Sequence, residues 1–356
     1  MKKVRVGIVG VGGIANGVHI PGYLKCDDCE ITAICDIDEK RLKETGDRLN
    51  IPETARFTDY RDLINSGLVD AVDVATSNDV HVEISLAALS AGLPVSVEKP
   101  IGMTFEESLA LRKKSEETGL PVFVCFSWRY RGIAQYMKKL IEGGEIGDIY
   151  HIYVKIIKDS GLWEGRRLEW RFDEKRAGTG VLCDLGSHMF DAIRFFGKEI
   201  ESVYCDRGVI VKKRQLLDSD DWAEVTTDDW ANATCVLDGG ASATVTLSRT
   251  AIAEANTTEF YVTGTKGALK LSSVHGEILE LCSGEDLKTK TFKTLEIPAE
   301  FSGANQSRSF INTVKGIEDK FASDIFAGIK SQAVVDAAKL SSETGKRILI
   351  EEMFKI

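Results

Sequence analysis

Val4-Arg5-Val6-Gly7-Ile8-Val9 runs directly into Gly10-Val11-Gly12-Gly13-Ile14-Ala15, and the fold is read from this junction. The first six residues are mostly apolar and β-branched, the composition of a strand buried in a parallel sheet. The next six read G-x-G-x-x-A. Such a turn lets the backbone approach a pyrophosphate closely and aims the free N–H groups of a helix N-terminus at that anion. Glycine-rich turns after strands also occur for packing alone, so the surrounding sequence has to separate the two readings.

Glu30-Ile31-Thr32-Ala33-Ile34-Cys35 reads as the second strand, and Asp36 ends it. Asp36 stands 21 residues beyond Ala15, close to the spacing of about 20 at which a carboxylate accepts the ribose hydroxyls of NAD. Ile37-Asp38-Glu39 follows, with no arginine to take a 2′-phosphate and two more carboxylates to repel one. Arg41 is the nearest cation and belongs to the next helix. The expected cofactor is NAD in preference to NADP.

A chain of 356 residues is long enough for two domains with sizeable cores. A net charge of −10 and the lack of a basic stripe argue against nucleic acid or an anionic membrane as partner. Lys212-Lys213-Arg214 is expected to be a solvated loop or strand end. No apolar run approaches the roughly 20 residues of a membrane span, and Met1-Lys2-Lys3 leads into a glycine turn instead of a signal sequence, so the expected location is the cytoplasm. The eight cysteines are scattered. Cys125, Cys183 and Cys235 have the apolar surroundings of buried free thiols. Cys26-Asp27-Asp28-Cys29 has no second pair to complete a zinc ribbon, and no metal is expected.

Helical and strand patterns alternate through the first half. Strands are expected at 70–75, 94–98 and 120–124. Helices are expected at 41–49, 60–66, 80–91 and 104–119, the last opened by a Thr104/Glu107 capping box and closed by Gly119. This alternation predicts a doubly wound parallel sheet, a Rossmann domain over residues 1–123. The second half opens with helix 131–142 and strand 148–156. A glycine-rich approach and a helix then cover 178–196. Short alternating runs follow at 203–211, 229–237, 241–248, 259–263, 268–272 and 278–281, and helices at 304–318 and 330–344. Residues 124–356 read as an α/β domain with a large open, mostly antiparallel sheet.

Ligands on doubly wound sheets bind beyond the carboxyl ends of the strands. Thr76-Ser77-Asn78-Asp79-Val80-His81 and Glu98-Lys99-Pro100 follow two of those ends. Thr76, Ser77 and Asn78 suit helix capping and cofactor contact alike. His81 fits either a helix surface or the cofactor cleft. Lys99 falls where a nicotinamide ring should lie; like charge there favours the neutral amine, able to exchange a proton with a substrate hydroxyl. A plain strand-end lysine is the competing reading. In Asp184-Leu185-Gly186-Ser187-His188-Met189-Phe190-Asp191, a helix places 184 and 188 on one face. A carboxylate there fixes the imidazole tautomer and suits it to proton transfer, although a helix start with an acidic cap would look the same.

Together these motifs, in this order and spacing, resemble the glucose–fructose oxidoreductase / inositol dehydrogenase (Gfo/Idh/MocA) family across nearly the whole chain. The Glu98-Lys99-Pro100 tripeptide and the D-x-G-x-H-x-x-D segment carry the resemblance. It implies an NAD(P)-dependent dehydrogenase acting on CH–OH groups, with Lys99, Asp184 and His188 as the catalytic set. It also implies cofactor contacts at Gly10, Gly12, Gly13, Ile14, Asp36, Thr76, Ser77, Asn78, His81, Glu98, Lys99 and Arg129. Substrate contacts are implied at Lys99, Arg129, Trp170, Arg171, Asp184 and His188, and a homodimer or homotetramer through the C-terminal sheet. Three places depart from the family pattern: Thr76-Ser77-Asn78 replaces T-P-N, Cys125-Phe126-Ser127 replaces G-F-N, and Gly178-Thr179-Gly180 replaces a triple glycine.

The resulting expectation is reversible oxidation of a secondary alcohol on a sugar, inositol or related polyol. Lys99 or His188 would accept the proton, and Asp184 would orient His188. An NAD-dependent glycosidase working by transient oxidation and elimination is one alternative. A non-catalytic sugar or cofactor sensor is the other, disfavoured by the intact Lys99, Asp184 and His188. Specificity is expected in 159–171, with Trp163, Arg166, Arg167 and Trp170, and around Trp222 and Trp230.

Overall fold

A computed structural model describes residues 3–252 and 256–355. The chain divides into two compact units, Met1–Ser127 with Asn305–Ile329, and Trp128–Ala304 with Lys330–Ile356. Reading in chain order draws one cut between 123 and 124; the structure cuts after Ser127 and returns a later segment to the first unit. Hydrogen bonds hold that segment there. The Val124 N–H donates to Ser323 O at 2.8 Å, and the Ser307 hydroxyl donates to His19 O at 3.1 Å.

The first unit is built on six parallel strands: β1 (Val4–Val9), β2 (Cys29–Cys35), β3 (Arg56–Phe57), β4 (Ala71–Val74), β5 (Val95–Val97) and β6 (Val122–Val124). Their order is β3-β2-β1-β4-β5-β6, the doubly wound arrangement predicted from the alternation. Val6 and Ile8 on the central strand are fully buried, as a strand covered on both faces requires. Local chemistry sets the helix ends. The Asp38 carboxylate accepts the Arg41 N–H at 3.0 Å and starts the helix Glu39–Leu49. The Thr104 hydroxyl accepts the Glu107 N–H at 3.3 Å, while Glu107 reaches back one residue further than expected, to the Met103 N–H at 2.7 Å.

The second unit carries β7 (Ile149–Ile157), β8 (Ile200–Gly208), a separate hairpin of β9 (Lys213–Gln215) and β10 (Trp222–Glu224), then β11 (Trp230–Leu237), β12 (Ser242–Ser248), β13 (Thr257–Gly264), β14 (Gly267–Ser272), β15 (Ile278–Ser283), β16 (Lys293–Leu295) and β17 (Ile348–Leu349). Nine of these form one sheet in the order β16-β15-β14-β13-β7-β12-β11-β8-β17. β7 and β12 pair in parallel and the other neighbours antiparallel. Along β11 burial alternates: Ala231, Ala233, Cys235 and Leu237 face inward. The inner face is met by the helix Ser187–Phe195 and, through the Cys205 N–H to Ser341 Oγ bond of 3.0 Å, by the C-terminal part of the helix Ile325–Thr344.

Two departures from regular helix bear on the site. Ala15–His19 and Leu182–Gly186 are π-helical turns, a wider winding that recurs at functional positions. The expected strict i,i+4 relation of Asp184 to His188 is therefore changed, because Asp184 sits in the π turn and His188 in the α-helical turn after it. The basic cluster at 212–214 is also not simply solvated. Arg214 is buried on β9, stacks 4.1 Å from the Phe172 ring centroid and donates to Arg166 O at 3.1 Å. It fastens the 159–171 loop from inside.

Candidate active site

The glycine turn is built as its sequence demands. Gly10 has φ +88°, and a Cβ there would sit 2.6 Å from Ala75 O; only glycine tolerates both conditions. Its N–H donates to Cys35 O at 2.8 Å. Beside it the Val11 N–H donates to Asp36 Oδ2 at 2.9 Å, so Asp36 ties the turn to the end of β2. At Gly12 and Gly13 an added Cβ would meet nothing within 4 Å. Open space at the start of a helix following β1 is what a dinucleotide pyrophosphate needs, and these residues fit that group. Arg41 lies on the helix after β2, as expected, 3.3 Å from Asp36 Oδ2.

The tripeptide Glu98-Lys99-Pro100 follows β5, with Lys99 half-buried and a cis Lys99–Pro100 bond. Histidines hold both of its flanks. His81 is fully buried; its Nδ1 lies 2.9 Å from Pro100 O and its Nε2 3.3 Å from Thr76 O. Burial, against the pull of the Pro100 carbonyl, lowers its pKa and keeps it neutral. The sequence reading places His81 among the cofactor contacts; in the structure the neutral ring has one N–H to donate, and the Pro100 carbonyl is the nearer of its two facing oxygens. Ser77 starts the short helical turn Asn78–Val80 without a side-chain cap.

On the other flank stands His19, which sequence reasoning missed. Its Nδ1 lies 2.8 Å from Asp73 Oδ2 and its Nε2 2.9 Å from Glu98 Oε1. The three residues are 1 %, 0 % and 6 % exposed. Burial alone would favour the neutral ring, but Asp73 and then Glu98 outweigh it and raise the pKa to about 10. The Cys125 thiol lies nearby, with ligand atoms of His19, Asp73 and Cys125 within 4.8 Å of one another. Both His19 ring nitrogens are already taken up by the Asp73 and Glu98 carboxylates. His19 pairs with both carboxylates.

This network has a pH signature. Its folded pKa of about 10 exceeds an unfolded value of 6.5, so its stabilisation is complete below pH 6.5 and is lost as pH rises toward 10. Urea unfolding across that window should show wild type losing on the order of a few kcal/mol more than His19→Gln. Parallel pH dependences of the two proteins would contradict the assignment.

In the second unit Asp184 and His188 are both half-buried, on a segment fixed from three directions. The buried Asp228 accepts the Gly180 N–H at 2.9 Å and the Leu182 N–H at 2.9 Å, and Arg207 neutralises it at 3.2 Å. A Cβ on Gly180 would overlap Asp228 O at 1.8 Å, so glycine is obligatory there. Thr179, where the family pattern has glycine, accepts the Cys183 N–H at 2.9 Å through its hydroxyl. Further along, Asp191 is fully buried and paired with Arg129 at 2.8 Å and 2.6 Å. Asp228 was absent from the sequence expectations; the only signal was the Thr227-Asp228-Asp229 run before β11. The same run reaches the 159–171 loop, since the Thr227 hydroxyl donates to Arg171 O at 2.9 Å. The Arg171 guanidinium lies 4.3 Å from the Trp170 ring centroid.

Arg129 therefore has a structural duty beside any ligand contact. Arg129→Met should cost about 3–5 kcal/mol, because it leaves the Asp191 carboxylate buried without its cation. Denaturant unfolding reads this; a change below about 0.5 kcal/mol would mark Arg129 as a surface-type contact instead.

Comparison with known proteins decides the family. A model of an oxidoreductase family with an NAD-binding Rossmann fold matches residues 4–126, and a model of the GFO/IDH/MocA C-terminal domain matches residues 134–270. The chain belongs to the GFO/IDH/MocA family. It is an NAD-dependent oxidoreductase of that family, acting on CH–OH groups.

Among its GFO/IDH/MocA relatives, a levoglucosan dehydrogenase of Pseudarthrobacter phenanthrenivorans is 27% identical over 80% of this chain and 78% of its own. A glucose-6-phosphate 3-dehydrogenase of Bacillus subtilis is 26% identical over 94% of this chain and 95% of its own. In fold, the chain is similar to a levoglucosan dehydrogenase solved with NADH and L-sorbose, at TM-score 0.90, 22% identity and 99% and 100% coverage of the two chains. Among the described residues no helix is long and apolar enough to cross a membrane.

Proposed function

We propose that the chain oxidises, reversibly, a secondary alcohol of a sugar, inositol or related polyol, and that Lys99 and His188 handle the hydroxyl proton. Bound NAD supplies the hydride acceptor. The observation that carries this reading is Lys99 itself: a half-buried amine beyond the carboxyl end of β5, in the unit whose glycine turn leaves room for a pyrophosphate. Named sugar dehydrogenases among the relatives support the substrate class. On this reading the Lys99 side chain or the His188 imidazole takes the proton as the C–H bond breaks, and Asp184 orients His188. Asp36 faces the cofactor ribose. Thr76, Ser77, Asn78 and Ile14 line the dinucleotide, and Trp170, Arg171 and Arg129 the substrate side.

Following NADH formation across a panel of sugars, inositols and their glycosides, with NAD and NADP in parallel, tests this. Turnover of free polyols at higher kcat/KM with NAD is expected. Glycoside cleavage without NADH accumulation, or a preference for NADP, would contradict it.

We also propose a homodimer or homotetramer formed through the outer sheet face. Tyr153 on β7 and Tyr261 on β13 pair directly across strands and stack with centroids 6.0 Å apart, yet stay 46 % and 37 % exposed. Light scattering should give a mass two or four times that of the chain. The cysteines Cys26, Cys29, Cys35, Cys125, Cys183, Cys205, Cys235 and Cys282 are all free thiols, which supports a reducing, cytoplasmic setting.

A further inference from the structure

We propose that His19 is a positioning residue for the reaction: lodged between Asp73 and Glu98, it fixes the carboxylate that accepts the Lys99 backbone N–H. This rests on the reading of Lys99 as a proton-transfer group.

Three elements meet at His19. It ends the π turn Ala15–His19, Asp73 lies on β4, and Glu98 follows β5. Both ring nitrogens face carboxylate oxygens, and a neutral ring could donate to only one of them. The second Glu98 oxygen accepts the Lys99 N–H at 3.2 Å. Pro100, on the other side, is held by His81. Lys99 thus stands between two anchored neighbours, one held by a charged histidine and the other by a neutral one. The His19 backbone is anchored in turn by Ser307.

The other titratable groups around the ring do not compete for its charge. Tyr23, on the neighbouring helix Ile20–Leu24, is pushed well up by burial and Asp73. Cys125, after β6, is pushed up by burial, then by Glu98 and Asp73. Both stay neutral, leaving one imidazolium against two carboxylates. A buried ion network is seldom the most stabilising filling for its volume. This one is accounted for by what it orients: it holds the Lys99 backbone in place and sets the negative charge beside it.

The test uses the full-length protein with NAD. His19→Gln removes the charge and keeps one donor. His19→Gln/Asp73→Asn restores the original net charge of the cluster. The single variant should lose about 10–100-fold in kcat, as for other residues that orient a reacting group, while KM for NAD stays within about twofold. The double variant should recover part of that loss. A purely structural histidine predicts the reverse, a double variant no better than the single. Nitrogen NMR of the wild-type His19 ring, which needs no variant to fold, should show both nitrogens protonated at pH 8. A neutral ring at that pH, or kcat of His19→Gln within about twofold of wild type, overturns the proposal. Lys99→Ala run alongside separates the two failures. If it stays active, the reading of Lys99 falls. If it is inactive while His19→Gln is normal, only the positioning role falls.

Discussion

Lys99→Ala is expected to lower kcat by about 10²–10⁴-fold while NAD still binds, since removing a positioned acid/base group costs that much and leaves binding interactions in place. The structure makes this a clean deletion. Glu98 remains held by His19 and Pro100 by His81, so the backbone at 99 keeps its anchors when the side chain is cut. The glycine turn and Asp36 are held separately, through the Gly10 N–H to Cys35 and the Val11 N–H to Asp36. The measurements are steady-state kinetics on the polyol turned over fastest and a fluorescence titration with NAD. Near-normal kcat would remove Lys99 from the chemistry. Loss of NAD binding in step with kcat would recast it as a cofactor ligand.

His188→Ala is expected to have a comparable effect, about 10²–10⁴-fold in kcat, and Asp184→Asn a smaller one, because an orienting carboxylate acts through the imidazole. Here too the scaffold should survive. The segment is capped by Asp228 at Gly180 and Leu182 and anchored by Arg129 at Asp191. A thermal unfolding midpoint close to wild type, together with collapsed turnover, is the predicted pair of results. If turnover persists in His188→Ala but fails in Lys99→Ala, the lysine alone handles the proton.

Much of the first unit could be read from residues 4–36, because its signals are local: a buried strand, a glycine turn, and a carboxylate at fixed spacing. The Gly10 conformation and the Val11–Asp36 bond are direct consequences of that stretch. What stayed hidden depends on distance along the chain. His19 looks like an ordinary residue early in a helix until a π turn carries it between carboxylates 54 and 79 positions away. Asp228 caps a helix start 46 to 48 residues earlier, and no spacing rule reaches that far. The return of Asn305–Ile329 to the first unit rests on scattered long-range contacts, such as Ser307 to His19, the Asp28 pairs with Arg308 and Lys315, and Phe123 against Phe310, which leave no periodic trace. Arg214 misled for a related reason. A basic triplet reads as solvated, but an aromatic ring and backbone carbonyls met its guanidinium in the fold.

A crystal structure of the protein soaked with NAD and its best polyol substrate tests the central claim most directly. The account predicts that the oxygen of the reacting hydroxyl lies within hydrogen-bond reach, about 3 Å, of both the Lys99 amine and a His188 ring nitrogen. A reacting hydroxyl that neither group approaches, or that only one of them can reach, would contradict it.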